Sequence, residues 1–80
     1  SLRIDTGLPE GDRLTIAVHP AMRGQVERAL LTRGLRRLGP RPWAIHVEHP
    51  ADDAFMGGLL VEHGFTRTRV LRWMRHSLAR

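Results

Sequence analysis

The alternation of apolar and polar positions predicts a β-hairpin at the start of the chain. Residues 2–5 alternate weakly, and residues 14–19 alternate strongly, with three aliphatic side chains on one face. Residues 7–12, between these segments, contain two glycines and a proline and have the composition of a turn. The pattern therefore predicts a strand, a turn and a second strand.

A helical period replaces this alternation and predicts a helix over residues 22–38. The arginines of this segment lie mainly at the edges and outside of its apolar stripe. The stripe consists of Val26, Leu30, Gly34 and Leu38 and is widened by Ala29, Leu31 and Leu35. Gly39-Pro40 ends the helix, and Arg41-Pro42 prevents it from resuming.

A second helix is predicted over about residues 53–63, because Asp52 or Asp53 can cap its start and Gly64 its end. Its apolar side is formed by Phe55, Met56, Leu59 and Leu60. Two adjacent glycines within it lower its helix propensity, and we expect close packing on the sheet to compensate.

Two further segments predict strands, residues 43–47 and residues 66–76. The first of them follows a helix, so we expect it to lie parallel to the strand at 14–19. The predicted order is β-β-α-β-α-β, which indicates one small domain of the α/β (α+β) class. In this class two helices pack on a mixed sheet.

The composition narrows the cellular setting. The 80-residue chain has no cysteine, which excludes disulfides and thiol chemistry and suits a reducing cytoplasm. No apolar run approaches the roughly 20 residues of a membrane span, and no signal peptide is visible. We therefore expect a cytoplasmic protein without a membrane partner. The spacing of the histidines predicts no metal site.

The formal net charge is +5, and all 13 basic residues are arginine. Anion binding explains such a bias, but so does the arginine usage of a GC-rich genome, which we favour because the arginines are spread along the whole chain. The last predicted strand is strongly basic and includes Trp73, a combination that suits either single-stranded nucleic acid or a protected sheet edge. We favour the edge, so that nucleic acid is an unfavoured partner. The four basic residues are Arg67, Arg69, Arg72 and Arg75.

Residues 17–24 carry the strongest functional signal. In this segment, Ala-Val-His-Pro-Ala-Met-Arg-Gly, an apolar strand stops at Pro20 and a helix is predicted to start at Met22 to Arg23. A strand that runs directly into a helix N-terminus directs unpaired backbone N–H groups to one point, which attracts an anion such as a phosphate. The sequence therefore predicts a phosphate-binding turn after Pro20.

Three segments in this order, within about residues 13–76, resemble the C-terminal half of the GNAT superfamily of acyl-CoA N-acyltransferases. Residues 17–24 look like the family's strand end and the start of its pyrophosphate loop, and Arg28-Ala29-Leu30-Leu31 looks like the helix that follows. Residues 53–65, ending in His63-Gly64-Phe65, look like the family's late helix. The resemblance covers half of a GNAT domain.

The resemblance implies that acetyl-CoA binds between two splayed parallel strands and donates its acetyl group to an amine. The pantetheine would bond to the backbone of residues 16–18, and the pyrophosphate would lie on the amides of residues 23–28. Asp53 stands at the position of the family's late-helix Asn, with Asp52 as the alternative. The implied cofactor-binding residues are Ile16, Ala17, Val18, Arg23, Gly24, Gln25, Val26, Glu27, Arg28 and Asp53.

The sequence departs from the family at two places. Val26 and Glu27 stand where the family has small residues, and the charges of Arg23 and Arg28 would offset a carboxylate there. The family's Tyr, which protonates the departing thiolate, is Leu60 here, and leucine transfers no proton. A catalytic residue is therefore unknown.

Three functions remain open. In an acetyltransferase, His46 and Glu48 on one face of the third strand are candidates for a general base and its orienting partner. In a non-catalytic half-domain, an open sheet edge would pair with a second copy, giving a homodimer, or with a missing N-terminal segment. The third function is a small basic nucleic-acid binder.

Overall fold

The computed structural model describes residues 1–40, 43–50 and 53–76. They form a five-stranded mixed sheet with two α-helices, which confirms the predicted α+β class. The sheet order is β1-β2-β3-β5-β4. The elements are β1 (Leu2–Leu8), β2 (Gly11–Ile16), a 3₁₀ turn (Pro20–Met22), α1 (Glu27–Leu38), β3 (Ala44–Glu48), α2 (Ala54–Glu62), β4 (Thr66–Arg69) and β5 (Arg72–His76).

The first hairpin is tighter than its composition predicts. β1 and β2 pair antiparallel, with only Pro9 and Glu10 between them, so the expectation of a six-residue turn was wrong. Gly11 begins β2 with a φ of +125°, and a Cβ there would stand 2.2 Å from the carbonyl oxygen of Ala44. Only glycine lets the hairpin approach β3 this closely.

β2 and β3 are parallel neighbours, as predicted. Their register runs from Asp12 opposite Ile45 to Thr15 opposite Glu48. The chain between them forms α1, as a connection between parallel strands requires. This parallel pair lies at the centre of the sheet and carries the candidate site at its carboxyl end.

The segment at 66–76 is a hairpin and not the single strand that its composition predicts. β4 and β5 pair antiparallel around Val70 and Leu71, which are exposed. The Arg67 guanidinium closes the turn by donating from Nη2 to the carbonyl oxygen of Val70 at 2.7 Å. The segment is therefore two strands joined by a turn, and the arginine contact at this turn leaves no trace in the hydropathy pattern.

Both helices pack on one face of the sheet around a single apolar core. The core contains Leu14 and Ile16 from β2, Ile45 and Val47 from β3, and residues of both helices. On α1 the buried positions are Glu27, Leu31, Gly34 and Leu38, so the predicted stripe is shifted toward Leu31 and away from Val26 and Leu30. The other face of the sheet has no helix on it within the described residues.

The predictions for Phe55 and for the two adjacent glycines need correction, and Trp43 lies just outside the strand predicted over residues 43–47. Phe55 is 45% exposed and lies outside the core, because α2 turns only Met56, Leu59 and Leu60 inward. Trp43 precedes β3, is 44% exposed, and donates from Nε1 to Asp12 Oδ2 at 2.7 Å. Of the two glycines in α2, a Cβ on Gly57 would only touch Trp73 and one on Gly58 would meet nothing, so neither is required by close packing.

Candidate functional site

β2 and β3 separate at their carboxyl ends. Their pairing ends at Thr15 opposite Glu48, and the next amide of this strand, that of His49, donates to the carbonyl oxygen of Leu71 at 3.2 Å, on the β5 side. The same register would next require an N–H at residue 50, which is proline and has none. The carbonyl oxygen of Pro50 accepts a hydrogen bond from Nδ1 of the His49 imidazole at 2.7 Å. The parallel ladder therefore ends at the residue that has no N–H to continue it.

A cavity of about 280 Å³ lies where the two strands part. Backbone and side chains from both strands and from the β4–β5 turn surround it. Its lining residues are Thr15, Ile16, Ala17, Glu48, His49, Pro50 and Leu71. Crevices at the carboxyl ends of parallel strands are common ligand sites in open α/β sheets. We call this cavity the slot.

The backbone of residues 16–18 is only partly directed at the slot. Ala17 exchanges two hydrogen bonds with Ser1, on the β1 side. Because successive residues of a strand direct their N–H and C=O groups to opposite sides, Ile16, the last residue of β2, faces β3 and the slot. Arg23 Nε donates to the Val18 carbonyl oxygen at 3.3 Å. The backbone groups of Ala17 are therefore paired with Ser1, although this residue lines the slot.

The turn after Pro20 does not leave its amides unpaired, contrary to the sequence prediction. Residues 20–22 form a 3₁₀ turn, and α1 starts at Glu27, later than the predicted Met22 to Arg23. The amide of Ala21 donates to His19 Nδ1 at 3.1 Å, and that of Gln25 to the Met22 carbonyl oxygen at 3.2 Å. Local hydrogen bonds therefore occupy these two donors.

The carboxylate of Glu27 occupies the position at which the resemblance places a phosphate. It accepts the Gly24 amide at 2.8 Å through Oε1 and at 3.0 Å through Oε2, and the residue is fully buried. Burial alone would raise the pKa of Glu27, but hydrogen bonds from the amides of Gly24, Glu27 and Val26 lower it below its ordinary value. Glu27 is thus an internal anion at the N-terminus of α1.

Glu27 shares this buried site with Asp53 and Arg23. Asp53 is 2% exposed and caps α2 by accepting the Met56 amide at 3.1 Å. Burial, followed by the hydrogen bond and the charge of Glu27, raises the pKa of Asp53. Arg23 Nε lies 4.0 Å from Asp53 Oδ2. The two pKa values are shifted in opposite directions, so Asp53 holds a proton more tightly than Glu27 does, and the pair joins the N-termini of both helices.

The remaining residues of the predicted phosphate loop are turned elsewhere. Arg28 Nη2 lies 3.4 Å from Glu62 Oε1, in an exposed pair across the two helices. Gln25 Nε2 donates to the Ala21 carbonyl oxygen at 3.4 Å. Val26 packs, half-buried, against the core. The structure thus brings together Arg23, Glu27 and Asp53 and leaves Arg28 and Gln25 at the surface.

His46 and Glu48 share a face of β3, but they are not a base and its orienting partner. His46 is only 8% exposed, and its Nε2 lies 3.1 Å from the Glu10 carbonyl oxygen. Glu48 binds the guanidinium of Arg72, with Nε 2.7 Å from Oε2. Neighbouring elements therefore hold the two side chains separately. Of the two, only Glu48 reaches the slot.

Sequence reasoning missed His49 as a residue of the slot. Its ring stacks on Trp73 at a centroid distance of 6.3 Å, and its Nδ1 donates to Pro50. Burial lowers its pKa, so the ring is neutral near pH 7. Nε2 then carries a lone pair, which is buried and has no hydrogen-bond partner among the described residues. A histidine beside a strand-ending proline was the signal in the sequence.

Leu60, at the position of the family's proton-donating Tyr, is fully buried in the core. None of the helices in the described part of the chain combines the length and the apolar character needed to cross a bilayer. Comparison with protein-family models, with curated proteins and with solved structures finds no match to this chain.

Proposed function

We propose that this domain binds acetyl-CoA in the slot and transfers its acetyl group to an amine, as the resemblance to the GNAT superfamily implies. The observation that supports the proposal is the separation of β2 from β3 at Pro50, which leaves an apolar cavity of about 280 Å³ beside the backbone of Ile16. The pantetheine of acetyl-CoA is an extended chain with amide groups. It can lie in the slot as a strand does, hydrogen-bonded through these amides.

Glu27 sets how the rest of the cofactor binds. While its carboxylate holds the Gly24 amide, a pyrophosphate has no access to that donor and meets a like charge. Binding then depends on the pantetheine in the slot, because the guanidinium of Arg28 is turned toward Glu62. We therefore expect weaker binding of acetyl-CoA than in a domain with a glycine-rich loop.

The reaction needs a proton acceptor for the attacking amine. The amine nitrogen forms a bond to the thioester carbonyl carbon, the C–S bond breaks, and the amine loses a proton as the thiolate leaves. His49 lines the slot and has a neutral ring, so it is the candidate base. Its Nε2 lone pair is buried, so the ring must turn toward the slot to accept the proton. The thiolate leaves without an acid, because the position of the family's Tyr is Leu60.

The test is thermal stabilisation by acetyl-CoA, since a ligand that binds only the folded state raises the melting temperature. Ala17 is exposed and lines the slot, so Ala17→Phe fills the cavity and is expected to abolish the shift. Ala29→Phe, at an exposed position on α1 that does not line the slot, should retain it. No shift of the unmodified chain at millimolar acetyl-CoA, or equal shifts of both variants, contradicts the proposal.

Acetyl transfer is tested separately with a mixture of small amines. His49→Gln should lower the rate of amine acetylation without changing the thermal shift, and the rate of the unmodified chain should fall as pH drops through the lowered pKa of His49. His63→Gln is the matched control, because His63 lies outside the slot and bonds the Leu59 carbonyl oxygen. Stabilisation by acetyl-CoA without any acetylation would indicate the non-catalytic alternative.

A further inference from the structure

The outer edge of β1 presents unpaired backbone groups at alternate residues. Ser1 and Ala17 exchange both hydrogen bonds, at 2.6 and 3.0 Å. In an antiparallel ladder such pairs alternate with pairs that exchange none, so the register makes Arg3 and Asp5 the next residues bonded to β2. Leu2 and Ile4 therefore direct their N–H and C=O groups outward, and β1 is an edge strand of the described sheet.

A groove lies directly beside these outward groups. It has a volume of about 460 Å³ and lies between β1 and α1. Leu2, Ile4 and Leu30 form its apolar floor, half-buried against the core. Arg33 and Arg37 stand at its wall, exposed, and neither has an ion-pair or hydrogen-bond partner within residues 1–40, 43–50 and 53–76. An apolar floor, two cations and an open strand edge therefore coincide.

We propose that this β1 edge binds an extended acidic peptide segment as a sixth strand of the sheet. The backbone of the segment would pair with the outward groups of Leu2 and Ile4. Its side chains on the helix face would alternate between apolar residues over the groove floor and carboxylates that reach Arg33 and Arg37. The inference does not depend on acetyl-CoA binding, because the slot lies between β2 and β3, on the other side of β2 from β1.

Charge favours this occupant over a second copy of the chain. Each copy carries a formal net charge of +5. Pairing two β1 edges about a two-fold axis would place the groove arginines of both copies on the same side of the joined sheet, and like charges there are repulsive. An acidic strand instead neutralises Arg33 and Arg37 as it pairs.

The test uses a fluorescent octapeptide, Val-Thr-Glu-Thr-Val-Thr-Glu-Thr, and follows its binding to the whole chain. Its valines and glutamates lie on one face of the strand in alternation, as the groove floor and the two arginines require. Arg37→Glu is expected to weaken binding at least several-fold, because it replaces an attraction by a repulsion. Arg36→Glu changes the net charge equally, but Arg36 does not line the groove, so this matched variant should bind nearly as well as the unmodified chain. Equal losses in both variants would indicate attraction to the net charge alone and would overturn the proposal.

Backbone pairing is tested from both sides. Ile4→Pro removes one outward N–H and leaves the ladder to β2 intact, a change that edge strands tolerate, and binding should be lost. A peptide N-methylated at every valine and glutamate keeps every charge but has no N–H to donate to β1, and it should fail against the unmodified chain even if Ile4→Pro does not fold. Undiminished binding of the methylated peptide, no binding of the original one, or dimers of the chain that exclude the peptide would each overturn the proposal.

Discussion

At the scale of single residues, the loop after Pro20 binds a carboxylate of the chain itself, that of Glu27, where the resemblance places a phosphate. Glu27 takes the Gly24 amide and fixes the start of α1, while Asp53 caps α2 beside it. Two carboxyl groups in one buried site cannot both ionise cheaply, and opposite pKa shifts separate their roles. The loop therefore owes its conformation to an acidic pair that lies 26 residues apart in the sequence.

The two carboxyl groups have opposite effects on stability as pH changes. Glu27 has a lowered pKa in the folded state, so its contribution is present above its ordinary pKa and is lost as pH falls through the lowered one. Asp53 has a raised pKa, so its contribution is present at low pH and is lost as pH rises through the raised value. Ionisation of Asp53 therefore opposes folding at neutral pH.

Asp53→Asn removes this cost while keeping an oxygen to cap α2 and an N–H to donate to Glu27. We expect the variant to gain about 1 kcal/mol in free energy of unfolding at neutral pH, the usual net value of one hydrogen bond. The gain should shrink as pH falls below the raised pKa of Asp53. Urea denaturation at several pH values measures it, with Glu10→Gln, an exposed acid, as the control. A gain that is independent of pH would contradict the shared-proton arrangement.

At the level of the elements, the hydropathy pattern and the turn residues predicted which helices and strands form, but not where contacts in the loops start or divide them. The periods placed both helices, the hairpin at the start and the parallel β3, because burial of one face fixes these patterns. The late start of α1 and the division of the last strand depended on Glu27 and Arg67, whose partners are backbone groups in folded loops. Periodicity contains no information about such contacts, and for the same reason it missed His49.

The end of the β2–β3 ladder is predicted to depend on one missing N–H. Pro50→Ala supplies the donor that the register requires at residue 50 and should extend the pairing toward Ile16. We expect slow hydrogen exchange at the new amide and a smaller thermal shift with acetyl-CoA, because the slot closes. Hydrogen exchange followed by NMR measures the first effect. Fast exchange at residue 50 with unchanged ligand stabilisation would show that another contact separates the strands.

The two helices differ in the space that is available for a side chain at a glycine position. A Cβ at Gly58 meets nothing within 4 Å, so Gly58→Ala should raise the free energy of unfolding by about 1 kcal/mol, the difference in helix propensity. A Cβ at Gly34 would stand 2.9 Å from Leu14 Cδ1 in the core, so the same gain in Gly34→Ala is offset by overpacking. Chemical denaturation compares the pair. Equal gains at both positions would mean that the core beside Leu14 yields freely.

Across the whole molecule, the chain's own groups hold much of the basic charge of the last hairpin. Arg72 binds Glu48, Arg67 holds the β4–β5 turn, and Arg75 lies 4.8 Å from the Phe65 ring centre. A nucleic-acid surface needs cations that are free to meet phosphates and aromatic faces that are free to stack. Arginines committed to internal partners are poorly suited to that task, despite the net charge of +5.

We therefore expect weak binding to nucleic acid that vanishes at physiological salt. Fluorescence anisotropy with a labelled single strand and a labelled duplex, titrated at low and at physiological ionic strength, checks this expectation. Arg69→Ala, at an exposed position of β4, should change neither result. Binding that persists at physiological salt and is reduced in that variant would revive the nucleic-acid alternative.

Gly11 has a consequence at the opposite end of the parallel pair. The hairpin turn touches the backbone of Ala44 so closely that any larger residue would act as a wedge between β2 and β3. The pair already parts beyond Thr15 and Glu48, so such a wedge would leave the centre of the sheet unfastened at both ends. The close backbone contact between Gly11 and Ala44 therefore holds β2 against β3 at the end opposite the slot.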